Sequence, residues 1–292
     1  MSTGTTVVVG VDGSADSLRA AEWAAADAAR RGRPLSIVHA YLWPAMYAPM
    51  AVPLPPSFEE NLREAAEHVL GEAAQRARSV APSLDVSTDM PMQQATAALV
   101  DASRHAATVV VGNRGRGGFT GLLLGSVGVE LAAHAACPVV VVRHEDRPHS
   151  ADAGRVLVGV DGSHDAEHAL RFAFEQASFR GVGLTVVHAY QWPVSTGPGD
   201  MIPLVYDEEG LQDNERRALA ESVTGWIGKY PDVDVRRAMV RGQPAAVLAE
   251  LSAGAELLVV GSRGRGGFTG LLLGSTSQAV IHHAACPVAV VR

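Results

Sequence analysis

Hydrophobic positions in the first half of the chain come in short blocks of two kinds. Residues 6–11 are a nearly continuous apolar, β-branched run, the pattern of a buried strand. Residues 15–31 switch to helical spacing, with Leu18, Ala21, Ala25 and Ala28 on one face, and Gly32 and Pro34 punctuate its end. A second strand is predicted over 35–41. A proline-rich stretch, 44–56, leads into a helix over 58–79 with Phe58, Leu62, Ala66, Val69 and Ala73 at helical spacing. A weaker strand over 85–90, a helix over 96–106, a strand over 108–111 ended by Gly112, a helix over 127–135 and a strand over 138–143 complete the half. Apolar strands alternating with amphipathic helices predict a parallel sheet covered on both faces, with right-handed crossovers. Ligands of such open sheets bind outside the carboxyl ends of the strands, where the strand order reverses.

The chain is written twice. Residues 7–14 (VVVGVDGS) recur at 156–163 (VLVGVDGS), an offset of 149 residues. Val38-His39-Ala40-Tyr41 recurs as Val187-His188-Ala189-Tyr190, Trp43-Pro44 as Trp192-Pro193, and Cys137-Pro138-Val139 as Cys286-Pro287-Val288. The segment 112–126 recurs at 261–275 with Asn113 replaced by Ser262 as the one change. A period of this length is a domain, not a solenoid unit. Domains are therefore expected over 1–146 and 152–292, joined by a polar link around 144–154, with strands of the second near 156–161, 183–189, 233–240, 257–260 and 287–292. The middles, 45–95 and 194–244, share little.

Composition removes several function classes. Of 292 residues 47% are hydrophobic and 19% charged, a globular composition, and the formal charge of −7 disfavours nucleic acid and anionic lipid as partners. Two cysteines cannot form a disulfide scaffold; Cys137 and Cys286 are expected to be core residues. No apolar run reaches 18 residues and the start of the chain has no signal-peptide pattern, so a soluble cytoplasmic protein without a membrane span is expected. No Cys/His cluster has zinc-ligand spacing, and no metal-ligating residue is assigned.

The repeated glycine segment carries the candidate chemistry. Gly112, Asn113, Arg114, Gly115, Arg116, Gly117 and Gly118 follow an apolar strand, and Gly125-Ser126 opens a helix. The second copy runs Gly261, Ser262, Arg263, Gly264, Arg265, Gly266, Gly267, then Gly274-Ser275. Such a loop exposes amide hydrogens, and the helix start after it adds a positive dipole end, which together suit a polyphosphate. The arginines add charge, and Ser126 and Ser275 add hydroxyl donors. The same residues also suit tight turns and helix caps; Ser275 with Gln278 fits a capping box. A Walker loop is excluded because it needs a lysine, and Lys229 is the only one. The first loop lacks the dinucleotide glycine fingerprint, which disfavours hydride transfer. Asp12 and Asp161 end strand one opposite the glycine loop, where a carboxylate can accept from a ribose hydroxyl or an adenine amino group, hold a metal, or close an Asx-turn with Gly13 or Gly162.

The VGVDGS start, the Val-His-Ala end of strand two, the Gly-x2-Gly-x9-Gly-Ser spacing and the closing Cys-Pro-Val of each half resemble the universal stress protein family, over nearly the whole chain, as a tandem pair. The resemblance implies two doubly wound, Rossmann-like domains of the adenine nucleotide α-hydrolase-like type, each a five-stranded parallel sheet of order 3-2-1-4-5. It also implies ATP, with or without Mg2+, as the cofactor of each half. Carried over by position, Asp12, Gly13, His39 and Ala40 would lie at the nucleoside, and Gly112, Arg114, Gly115, Gly125, Ser126 and Val127 at the phosphates. The second set is Asp161, Gly162, His188, Ala189, Gly261, Arg263, Gly264, Gly274, Ser275 and Thr276. The family pairs domains through the last strand, so self-association through Val139–Val142 and Val288–Val291 is expected.

A departure lies before the third helix: Arg241-Gly242-Gln243-Pro244 stands where the first half has Met92-Gln93-Gln94-Ala95, on the predicted binding side. Trp43 and Trp192 open the variable loops, as packing residues or covers for adenine. The expected function is a nucleotide-dependent regulator of stress or growth, acting on a protein partner that the sequence does not name. The alternatives are a slow ATPase or self-phosphorylating enzyme, and a scaffold that binds a cyclic nucleotide or none.

Overall fold

The computed structural model describes residues 4–41, 56–115, 126–143, 150–191, 208–265 and 272–292, without the side chains of 56–58, 126, 208–216 and 218. The first half runs β1 (Thr6–Gly10), α1 (Ala15–Arg30), β2 (Leu35–Val38), α2 (Pro56–Val80), β3 (Val86–Asp89), α3 (Ala95–Ser103), β4 (Ala106–Gly112), α4 (Ser126–His134) and β5 (Val139–Val142). The second runs β6 (Val156–Gly159), α5 (His164–Arg180), β7 (Leu184–Tyr190), α6 (Glu208–Lys229), β8 (Val235–Arg241), α7 (Pro244–Leu251), β9 (Leu257–Gly261), α8 (Ser275–His283) and β10 (Val288–Val291). The predicted alternation of strand and helix is present in both halves.

Two compact units form. One is Met1–Glu145 with Cys286–Arg292; the other is Asp146–Ala285. In the first, the strands lie in the order β3-β2-β1-β4-β5-β10. The first five are parallel and β10 runs antiparallel to β5, with Val288 opposite Val141 and Val290 opposite Val139. In the second, the order is β8-β7-β6-β9, all parallel. The central strands are buried on both faces: Val7, Val9, Leu35, Ile37, Val109 and Val110 have no exposed surface, and neither do Leu157, Leu184, Leu257 and Val259. Burying each such side chain contributes about 1.5–3 kcal/mol. That double burial is why these strands read as unbroken apolar runs. The edge strand β3 is mostly exposed and reads weakly for the same reason.

Each half starts its first helix identically. Ser14 caps α1 by accepting from Ser17 N at 3.2 Å, and Ser163 caps α5 by accepting from Ala166 N at 3.3 Å. Gly13 and Gly162 lie in the left-handed region, φ +78° and +76°, which the turn between strand and cap requires. The second strands differ. A strand over 35–41 was expected, but β2 ends at Val38, whereas β7 continues to Tyr190, paired with Arg241. Pro91 in the first half occupies the position of Val240 in the second, and a proline has no N–H to give the ladder.

Candidate functional site

The second unit holds a cleft of about 780 Å³ at the carboxyl ends of β6 and β9. That size is typical of ligand pockets. β7 and β8 lie on one side of β6 and β9 on the other, so the order reverses at this point. Asp161, Gly261, Arg263, Gly264, Arg265, Gly274, Ser275 and Thr276 all line the cleft. Asp161, from the turn after β6, and Ser275, 114 positions later at the start of α8, thus share one wall.

Asp161 ties two of these segments together. Its Oδ1 accepts from Ser163 N at 3.0 Å, an Asx-turn, and its Oδ2 accepts from Arg265 N at 2.9 Å. A Cβ on Gly264 would collide with that Oδ2, so a glycine is needed where the loop passes the carboxylate. Gly261 serves packing instead: a Cβ there would lie 2.9 Å from the carbonyl carbon of Asp165 and 3.1 Å from Ala166 N, in the backbone of α5.

A second aspartate holds the same loop. Asp165 Oδ2 accepts from Ser262 Oγ at 2.9 Å, from Arg263 N at 3.1 Å and from Arg263 Nε at 3.3 Å. Burial by itself would raise the carboxyl's pKa, but the bonds from Ser262 and Arg263 outweigh it and hold the group below its ordinary value. Sequence reasoning did not select Asp165, because on the chain it is one more acidic residue in the first turn of a helix.

The start of α8 faces the cleft without a cap. Its N-cap is Gly274, in extended conformation, and among the described residues no side-chain cap bond is made there. Ser275 is the first helical residue, so the Ser275–Gln278 capping box suggested by the sequence does not form. Ser277 Oγ instead donates to Gly261 O at 2.6 Å, fastening the helix to the end of β9. Free amide donors at a helix start, in a cleft, favour an anion.

At the end of strand two the alternation of side chains decides placement. Val187 and Ala189 line the cleft. The His188 imidazole is turned to the Val160 carbonyl, with Nδ1 at 2.9 Å, and lines an adjoining cavity with Gly162, Leu170, Leu219 and Trp226. In the first half, His39 Nδ1 meets Val11 O at 2.7 Å in the same way. A carbonyl can only accept, so Nδ1 carries the proton in both. Pro244, from the loop that departs from the first half, also lines the cleft.

The first unit repeats part of this arrangement. Asp12 Oδ1 accepts from Ser14 N at 3.0 Å, a Cβ on Gly115 would collide with Asp12 Oδ2, and Ser14 Oγ donates to Arg114 O at 3.1 Å. Gly112 packs against the backbone of Asp16 and Ser17, where a Cβ would lie 2.6 Å from the Asp16 carbonyl carbon. Asp16, the counterpart of Asp165, forms an ion pair with Arg19, and among the described residues it makes no bond to the loop. Asn113, in the place of Ser262, has a buried Oδ1 without a hydrogen-bond partner among the described residues.

These features, twice over in one chain, match a known family. The model of the Universal stress protein family matches residues 5–143 and 153–292. The chain belongs to the universal stress protein family. A universal stress protein of Mycolicibacterium smegmatis is 40% identical over 291 residues, covering 98% of this chain and 96% of the relative. One from Mycobacterium tuberculosis is 40% identical over 299 residues, with the same coverage of 98% and 96%. Two crystal structures share the fold. A universal stress protein from Archaeoglobus fulgidus superposes with a TM-score of 0.70 at 24% identity, covering 99% of both chains. A putative one from Pseudomonas aeruginosa superposes with a TM-score of 0.62 at 17% identity, covering 99% of this chain and 93% of the other.

Within this universal stress protein, some expected site residues lie outside the described residues: Arg116, Gly117, Gly118 and Gly125 in the first half, Gly266 and Gly267 in the second, and the loop tryptophans Trp43 and Trp192. Ser126 is described as the first residue of α4, without its side chain. Cys137 and Cys286 are core residues, as expected. Burial pushes the Cys137 thiol up to about 12, which leaves it unreactive at neutral pH. Among the described residues, no helix is long and apolar enough to cross a membrane.

Proposed function

We propose that this universal stress protein binds one ATP in each half and acts as a nucleotide-dependent regulator. The observation that carries the reading is the uncapped start of α8, facing a cleft that is also lined by the glycine turn after β9 and by Arg263 and Arg265. In the second half the phosphates would take the amides of Gly264, Ser275 and Thr276, the Ser275 hydroxyl and the arginine side chains. The sugar and base would lie toward Asp161, Val187 and Ala189. In the first half the corresponding residues are Asp12, Ala40, Gly112, Arg114, Gly115, Ser126 and Val127.

The fit to a nucleotide rests on the cradle. A Cβ at Gly264 has no room beside Asp161, and one at Gly274 would lie 3.3 Å from Ser262 O, so these glycines let the main chain pack tightly around the cleft that both residues line. The protein offers less to a metal. Among the described residues no group of three or more His, Cys, Asp or Glu side chains could hold an ion. Mg2+ would therefore enter on the phosphates, as it commonly does.

Isothermal titration of the full chain with ATP tests the proposal. Two sites per chain with affinity near micromolar are expected, about −8 kcal/mol each. No heat, together with no rise in melting temperature at millimolar ATP, would remove it.

A further inference from the structure

We propose that Asp165 is a positioning residue for phosphate recognition in the second half, acting through Arg263, and that the first half has no equivalent. The inference rests on the nucleotide reading above and deepens it.

Asp165 lies in the first turn of α5 and its carboxylate is only 10% exposed, while the Arg263 side chain it holds is 63% exposed. One oxygen, Oδ2, accepts three bonds from the turn after β9: the buried Ser262 hydroxyl, the Arg263 backbone N–H and the Arg263 Nε. A guanidinium has five N–H donors in a fixed plane. With Nε committed to the carboxylate, the plane is oriented and the two terminal NH2 groups remain for an anion in the cleft that Arg263 lines. The backbone N–H of the same residue is fixed at the same time, so main chain and side chain are set together. Ordering these groups before binding removes part of the entropy loss that a ligand would otherwise face. Because the carboxylate is neutralised by the guanidinium it orients, the cleft presents a directed pair and not an unbalanced negative charge.

The first half keeps the glycines and the arginine but not this connection. Asp16 pairs with Arg19 on its own helix. Arg114, the counterpart of Arg263, makes no ion pair among the described residues, and Asn113 leaves a buried acceptor unused where Ser262 donates. Phosphate groups should therefore add more affinity in the second half than in the first.

The test compares adenosine with ATP on the full-length chain, by calorimetry, for wild type, D165A, D165N, R263A, the D165A/R263A double variant and D16A. For D165A, ATP affinity at one of the two sites is expected to fall about tenfold while adenosine affinity stays unchanged. D165N, which keeps an acceptor oxygen for Ser262 and the Arg263 amide, should recover part of the loss. The double variant should bind ATP as weakly as R263A and no more weakly, since one residue acts through the other. D16A should leave both sites within twofold of wild type. ATP affinity that is unchanged or increased in D165A overturns the inference, as does an equal loss for adenosine or full additivity in the double variant. Absence of ATP binding by the wild-type chain overturns the nucleotide reading and this inference together; the other outcomes overturn the inference alone.

Discussion

The two halves carry the same segment after strand four, 112–126 and 261–275, with a single exchange of Asn113 for Ser262. They connect it differently. In the second half the turn is bonded to both Asp161 and Asp165, on either side of the α5 cap. In the first, Asp12 is placed as Asp161 is, but Asp16 is taken by Arg19. The two halves also diverge in their cores. Asp27 and Arg31 form a buried ion pair at 3.1 Å, which Thr108 joins at 2.9 Å from Arg31. The corresponding residues of the second half are Gln176 and Arg180: Arg180 Nε donates to the uncharged Gln176 Oε1 at 3.1 Å, and its Nη1 pairs with Glu256 at 3.7 Å. The second half has its own network, in which the buried Arg155 donates to Thr185 at 3.0 Å and to the exposed Asp234 at 2.7 Å, and Thr185 donates to Asp152 at 2.7 Å. A repeated motif thus fixes where the backbone goes. It does not fix which charges meet on it.

The largest expected effect that separates the halves comes from the first core. Asp27→Ala leaves Arg31 charged and buried, and should cost about 3–5 kcal/mol. Gln176→Ala removes a neutral acceptor and should cost about 1–3 kcal/mol. Urea denaturation of each variant measures both, and equal losses would break the contrast.

The next effect sharpens the comparison where both halves use glycine. Gly112→Ala brings a Cβ to 2.6 Å from the Asp16 carbonyl carbon, and Gly261→Ala brings one to 2.9 Å from that of Asp165. Overpacking of this kind costs about 1–3 kcal/mol, and the loss should be larger at Gly112. A reversed order in thermal melts would show that the helices yield differently than the spacings indicate.

Where the halves agree, the effects should agree. Ser14→Ala and Ser163→Ala each remove one helix cap and should each cost about 1 kcal/mol. A gap of more than a factor of two in denaturation free energy would mean that one cap does further work.

The last effect is absent at neutral pH and appears only in alkali. Cys137 ordinarily ionises at 9.0 and is pushed up to about 12 by burial. The folded state therefore binds this proton more tightly than the unfolded chain does. Its contribution is complete below pH 9 and is lost as pH rises from about 9 toward 12. Cys137→Ala should flatten that part of the stability curve, and a curve parallel to wild type would count against the burial effect. The thiol should also resist labelling at pH 8 while the protein is folded.

Much of the site was legible in the chain because its parts are local. The Asx-turn of Asp161 spans two residues, the cap of Ser163 three, and the glycine turn follows directly on a strand; each leaves a signature of spacing and residue type. His188 was placed at the correct strand end, but the alternation of side chains along β7 turned its ring toward Val160 and left Val187 and Ala189 to the cleft. The end of β2 at Val38 depended on Pro91, two residues past the end of the neighbouring strand β3, which the run 35–41 cannot reveal.

By itself the sequence determined the alternation of strands and helices, the duplication, the turn glycines and the caps, because backbone sterics and hydrophobic period act over a few residues. The tertiary structure decided what Asp165 holds, since its partners Ser262 and Arg263 lie 97 and 98 residues away. It also decided that β10, the last strand of the chain, runs beside β5 as part of the first unit. Bonds between residues so far apart exist only once the sheet has ordered its strands, so no local pattern encodes them.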